Sequence, residues 1–259
     1  MPGNHLEIVH PDSTDHYSYK LLYKILTNTR GAFSAVESAR LAVENREFQE
    51  AINLLMPGVD DLDANAIVTL ALALESIGFD KDAEDVIERW NTTHARSALD
   101  PVGVLAGRLK RRWLVGRQQK DFDRALELYS DGFKQAEEKK NHDQAYYHAI
   151  NVAYLLLVSP DEDVEGALTV EYMVERALYH VEVAQENQWT YATIGEAFLI
   201  QGKLEESLEA YGKAKALANT LRECDSMHMQ AVAVSSHVFG DKVSKQIDEA
   251  FGYVSESVS

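Results

Sequence analysis

The chain has 259 residues, with 42 acidic against 25 basic side chains, a formal charge of −17 and a pI near 4.9. Hydrophobic residue types make up 46%, enough to build a core, which excludes wholesale disorder. So acidic a balance also argues against broad binding to nucleic acid or anionic membranes, so no partner of either kind is expected.

Length alone points to one or two domains. The single cysteine, Cys224, excludes a disulfide framework within the chain and any multi-cysteine zinc site. The longest apolar run, Ala66–Leu74, is about half of the ~18–20 residues a membrane span needs. No basic segment followed by an apolar core opens the chain, so no secretory signal is expected and the cytoplasm is the expected compartment. Only 5 Pro and 14 Gly punctuate the sequence, and period-two alternation is nearly absent. Ala, Leu, Glu and Lys recur at helical spacing instead, which predicts an all-α fold.

In chain order, residues 1–30 form an N-terminal segment rich in His, Tyr and Asp, whose role as tail, dimerisation arm or groove plug the sequence leaves open. His5, His10 and His16 lie there near Glu7, Asp12 and Asp15. Their spacing fits no helical pair, so a solvated segment is expected rather than a metal site. Residues 31–97 carry two repeat units. In the first, Ala39, Ala42, Phe48, Ala51 and Leu55 recur at hairpin positions. In the second, Leu70, Ala71, Leu74, Gly78, Ala83 and Ile87 take equivalent places. Ala51 and Ala83 lie 32 residues apart, close to the ~34-residue tetratricopeptide period.

Residues 98–218 carry three further units. Ala106 and Gly107 open one whose second helix holds Phe122, Ala125, Tyr129 and Gly132. The stretch to Gln118 requires either a long first helix or an enlarged turn. The next begins at Tyr147, Ile150, Asn151 and Tyr154, turns at 159–163 and has a second helix running to about Glu186. The clearest unit is 189–218, with Tyr191, Ile194, Gly195, Phe198, Gly202, Ser207, Tyr211 and Ala214 in register. Gly202 suits a helix end that a Cβ would oppose. Gly195 and Ser207 are small where two helices cross, and Tyr211 fills the space between units. Residues 219–259 form a capping helix and tail, since a stack otherwise ends in exposed core. The predicted fold is thus an α-solenoid of tetratricopeptide-like helical hairpins with a C-terminal capping helix.

The order Gly107-Arg108, Ala125, Tyr129, Gly132-Phe133, Tyr146-Tyr147, Ile150-Asn151, Ala153, Leu155-Leu156, Trp189, Thr193, Gly195-Glu196-Ala197 resembles the TRAFs-binding repeat region of the apoptosis signal-regulating kinases and its bacterial relatives. The resemblance covers roughly 100–218 and implies an interaction scaffold that regulates an attached or separate effector in signalling. The kinase itself is not implied, because no glycine-rich phosphate loop and no His-Arg-Asp catalytic loop occurs.

Candidate chemistry is sparse. Residues 101–120 hold Arg108, Lys110, Arg111, Arg112, Arg117 and Lys120 with no acid, leaving 19 basic against 42 acidic side chains elsewhere. Arg108, Arg111 and Arg112 share one helical face. Two readings stand: an anion site for an acidic peptide or phosphate, gripped by bidentate guanidinium bonds, or cations that neutralise acids on adjacent helices. The acidic clusters Asp60-Asp61-Asp63 and 161–163 precede helices and suit capping. Cys224, beside Arg222, is read as a passive thiol. Trp90 and Trp113 read as inter-helix packing, with Trp189 divided between core and groove. Neither His-Glu-x-x-His, Gly-x-Ser-x-Gly nor a P-loop occurs, and the Lys/Asn/Arg carboxylate clamp is missing from the first helix, where Val36 and Arg40 stand. No catalytic residue, metal or cofactor is expected.

Tetratricopeptide stacks bind extended peptides or helices in a groove lined by their first helices. Carried forward, the repeat frame directs Arg40, Val68, Leu72, Glu75, Val104, Arg108, Arg111, His148, Val152, Leu155, Trp189, Glu196 and Leu199 toward that groove. The partner-binding set is therefore Arg40, Leu72, Glu75, Arg108, Arg111, His148, Val152, Leu155, Trp189, Glu196 and Leu199. The expected function is a non-enzymatic scaffold for a protein or acidic peptide. The alternative is a sensor or enzyme with a phosphorylated ligand between the 163–186 helix and Tyr146, Tyr147, His148 and Tyr154.

Overall fold

The computed structural model describes residues 34–94, 98–159, 168–218 and 221–253. The expected N-terminal segment, the 161–163 acidic cluster and most of the 159–163 turn lie outside these. Among the described residues there are twelve α-helices, two short 3₁₀ segments and no strand, in agreement with the all-α expectation. They divide into two compact units, the first ending at Arg108 and the second beginning at Leu109.

The first unit holds α1 (Ala35–Glu44), α2 (Phe48–Leu55), α3 (Ala64–Ser76), α4 (Asp80–Thr93) and the start of α5 (Leu99–Gly116). Ser34 opens α1 with a capping box: its hydroxyl accepts from the Glu37 amide at 3.2 Å while the Glu37 carboxylate accepts from the Ser34 amide at 3.0 Å. Asp63 caps α3 by accepting from the Ala66 amide at 2.8 Å, as its place before the helix suggested. Asp60 instead pairs with Arg89 at 2.8 Å. Helices α1 and α2 form one hairpin, α3 and α4 a second, and α3 packs on both helices of the first. Trp90 of α4 is buried and donates from its indole N–H to the Leu62 carbonyl at 2.7 Å.

The second unit holds the rest of α5, then α6 (Gln119–Glu138), α7 (His142–Leu157), α8 (Val170–Val183), α9 (Gln188–Ile200), α10 (Leu204–Leu217), α11 (Leu221–Phe239) and α12 (Ser244–Phe251). Each hairpin stacks on the next, so that α7, α9 and α11, all at first-helix positions, touch in succession. The choice left open around Gln118 resolves to a long α5 and a short turn. Asn141, Thr169 and Asn187 each cap a helix by accepting from a backbone amide of its first turn. The second helix expected to reach Glu186 stops at Val183, where Ala184 adopts extended backbone. At the C-terminal end, α11 and α12 bury Met227, Val234, Ile247 and Phe251 against Tyr211 and Leu199.

Five of the turns between helices repeat one backbone device. A left-handed residue follows α1 (Arg46, φ 62°), α3 (Gly78, 85°), α5 (Arg117, 52°), α6 (Lys140, 53°) and α9 (Gly202, 75°). Only two of the five are glycine, which is why the turns after α1, α5 and α6 left no glycine signal in the sequence.

Helix crossings explain the small residues. A Cβ added to Gly195 would lie 3.0 Å from the Tyr211 ring, and the Ser207 hydroxyl donates to the Gly195 carbonyl at 2.7 Å. The crossing of α6 and α7 is tighter: a Cβ on Gly132 would lie 2.4 Å from the His148 ring. His148 is fully buried among Tyr129, Tyr147 and this notch, and its two ring nitrogens have no hydrogen-bond partner among the described residues. Burial holds its pKa at about 4, well below the usual 6.5, so it is neutral at pH 7.

Two outcomes follow. Gly132→Ala should destabilise the chain by about 1–3 kcal/mol in urea denaturation, because the His148 ring has no room to retreat. In an exposed helix interior the same change would stabilise. Acid should weaken the fold through His148. Its folded-state pKa lies below the unfolded value, so the contribution is present above pH 6.5 and is lost as pH falls toward 4. Linkage puts the loss between pH 7.5 and 5 at about 2 kcal/mol. His148→Met should remove that part of the slope in denaturation midpoints measured at the two pH values, leaving a remainder from His180, which burial also lowers.

Candidate functional site

The basic stretch of α5 does not assemble one anion-binding face. Arg108 is buried in the first unit. Its guanidinium donates to the carbonyls of Ala83 (3.1 Å) and Ala71 (2.8 Å) and reaches the Glu75 carboxylate at 3.3 Å. In the second unit, Arg112 grips Asp121 with two bonds of 2.7 and 2.6 Å, and this pairing holds the Asp121 carboxyl below its usual range. Arg117 lies over the Trp113 ring at 4.8 Å. Arg108 and Arg112 thus each meet an acid, whereas Arg117 meets an aromatic ring. Arg111 is exposed.

Lys110 is different. Its side chain is buried in the second unit, where helices at first-helix positions converge. The ammonium donates to Asn151 Oδ1 of α7 at 2.6 Å and to Gln230 Oε1 of α11 at 3.0 Å, and lies 5.2 Å from the Tyr154 ring centre. Asn151 passes the chain on by donating to the Tyr147 carbonyl at 2.8 Å. Gln230 donates to Glu196 Oε1 of α9 at 2.7 Å. One residue each from α5, α7, α9 and α11 therefore builds a single directional network, with the cation at its head and a carboxylate at one end. Lys110, Asn151 and Glu196 are each only 8% exposed. Burial pulls the Lys110 ammonium down to about 8 and pushes the Glu196 carboxyl up to about 7, their mutual attraction opposing both shifts in part.

The remaining site candidates separate. In the first unit Arg40 and Leu72 are half-buried, and Glu75 meets Arg108. In the second, His148, Val152, Leu155 and Leu199 are fully buried and therefore pack rather than present themselves, while Glu196 joins the network and Trp189 is 39% exposed. Tyr146 and Tyr154, assigned to a ligand pocket in the alternative reading, are core residues with His148. Lys110 stood in the sequence as one cation of a run, and Asn151 as a repeat-frame position. Gln230 had no signal, because its importance comes from a contact 120 residues away. Burial raises the Cys224 thiol above its usual range. Among the described residues no group of three or more His, Cys, Asp and Glu is arranged to hold a metal ion, and no helix is long and apolar enough to cross a membrane.

Residues 47–156 match the family model described as Tetratricopeptide Repeats-Sensor. With the hairpin stacking, this match supports a tetratricopeptide-like protein. The chain has no match among curated proteins, and none among solved structures.

The network makes an energetic prediction at pH 7. Lys110→Met should cost about 2–4 kcal/mol in denaturant unfolding, because it leaves the Asn151 and Gln230 oxygens buried without a donor. Glu196→Gln should cost less than about 1 kcal/mol, since a carboxamide still accepts from Gln230. The double variant should differ from the sum of the two singles, as residues in one network do.

Proposed function

We propose that the chain is a non-enzymatic, cytoplasmic interaction module that captures a polypeptide on the face formed by its first helices and regulates an effector in signalling. The observation that carries this reading is the succession α7, α9, α11, joined to α5 by one residue from each around Lys110. A stack bound together along its inner side holds that side rigid, which lowers the ordering cost of capturing a flexible ligand. Arg111 and Trp189 supply an exposed cation and a half-exposed aromatic ring on first helices, residue types enriched at binding hot spots. An acidic peptide with an aromatic or aliphatic anchor suits them. The likeness of residues 100–218 to the TRAFs-binding repeat region points the same way, toward a scaffold serving an effector.

A second reading, a small-molecule sensor, is favoured by two observations: the word Sensor in the matched family's description, and the buried Lys110–Glu196 pair, a perturbed ionisable couple of a kind that clusters at functional sites.

One pair of experiments separates them. Peptides selected against the full chain from a display library should lose roughly tenfold or more in affinity to Arg111→Glu with Trp189→Ala, a change of about 1.4 kcal/mol or more, while circular dichroism and melting temperature hold. Unchanged affinity removes the inner-face assignment. A large, saturable thermal shift with a nucleotide or phosphorylated metabolite would instead favour the sensor.

A further inference from the structure

The outward side of α8 carries two parallel rows that folding does not explain. Tyr172, Arg176, Tyr179 and Val183 follow one another at i, i+4, i+7 and i+11, the spacing of a single helical stripe. Tyr172 is 40% exposed, Tyr179 49% and Val183 53%, although the same helix buries Met173, Val174, Ala177, His180 and Val181 on its other side. Beside the stripe runs a second row, Glu171, Glu175 and Glu182, all exposed. Single exposed apolar residues are ordinary, whereas a contiguous stripe marks a contact surface.

The geometry points to this face as a docking site for an amphipathic helix of a partner protein, one that carries an apolar row flanked by lysine or arginine. Arg176 does not spoil the stripe. Its charge is met by Glu137 of α6, to which Nε donates at 2.9 Å, and its guanidinium lies 4.6 Å over the Tyr179 ring. The cation thus lies on the aromatic ring within the stripe. The eleven helical rises from Tyr172 to Val183 give the stripe a length of about 16 Å, three turns of a partner helix. The acidic row supplies the polarity of recognition: a partner helix laid along the stripe would set its own flanking row against three carboxylates, and basic side chains complete that match. A second copy of this chain would bring acid rows together, which like-charge repulsion opposes. This surface lies on a second helix of a hairpin, so it is separate from the first-helix face proposed above and stands or falls without it.

Fluorescence anisotropy on the full chain tests the assignment with a labelled helical peptide of about 18 residues, long enough to hold some helix. The peptide bears Leu at the stripe spacing and Lys on the adjoining row; a twin carries Glu in place of Lys. The Lys peptide should bind saturably and the Glu twin roughly tenfold or more weakly. Tyr172→Ser with Tyr179→Ser should weaken the Lys peptide by a similar factor with the melting temperature unchanged. Glu171→Lys, Glu175→Lys and Glu182→Lys together should invert the preference between the twins. Absence of binding overturns the proposal. So does unchanged binding by the Tyr variant, which would assign the affinity to diffuse attraction toward a chain of charge −17. A dimer in sedimentation velocity that dissociates in the Tyr variant would overturn it in favour of a second copy.

Discussion

Close approach of paired helices is the constraint on which the structure rests. A helical hairpin buries little by itself, and its two helices must come near enough for large side chains of one to fill notches in the other. At α9 and α10 the notch is Gly195, filled by Tyr211 and fastened by the Ser207 hydroxyl. At α6 and α7 it is Gly132, filled by His148. The second case carries a polar ring into a site that offers it no hydrogen-bond partner among the described residues, and burial keeps the ring there as the neutral imidazole. Tight packing at this crossing is thereby tied to proton concentration.

Charge is handled by the same logic inside an acidic chain. The cations of α5 are distributed among acids on neighbouring helices: Arg108 to Glu75 within the first unit, Arg112 to Asp121 and, through Gln230, Lys110 to Glu196 within the second. A charged group so buried is stable only when its donors and acceptors are matched, and the two carboxamides do that matching. Asn151 and Gln230 each present an oxygen to the ammonium and an N–H onward. The network therefore specifies how α5, α7, α9 and α11 register against one another, a role that an apolar centre of the same volume would fill less selectively.

The fold was legible in the sequence because its causes are local or periodic. Hairpin spacing, the left-handed glycines Gly78 and Gly202 and the cap at Asp63 are all short-range physics, and the helices formed where those signals stand. What failed to show was the turn at Arg117. A left-handed arginine looks like any other arginine, so the length of α5 was open until the backbone was seen.

For the site, sequence determined the residue types and the helices that carry them. Glu196 was placed on a first helix by the repeat frame, and Lys110 was visible as part of an acid-free run. Periodicity cannot tell which side of a first helix is open and which is closed, because both are apolar when neighbouring helices converge. The tertiary structure therefore decided that His148, Val152, Leu155 and Leu199 are buried, that Arg108 belongs to the first unit, and that Gln230 completes a network begun 120 residues earlier. Those outcomes depend on how helices curve toward one another, a property of many small packing contacts summed over the stack and carried by no single stretch of sequence.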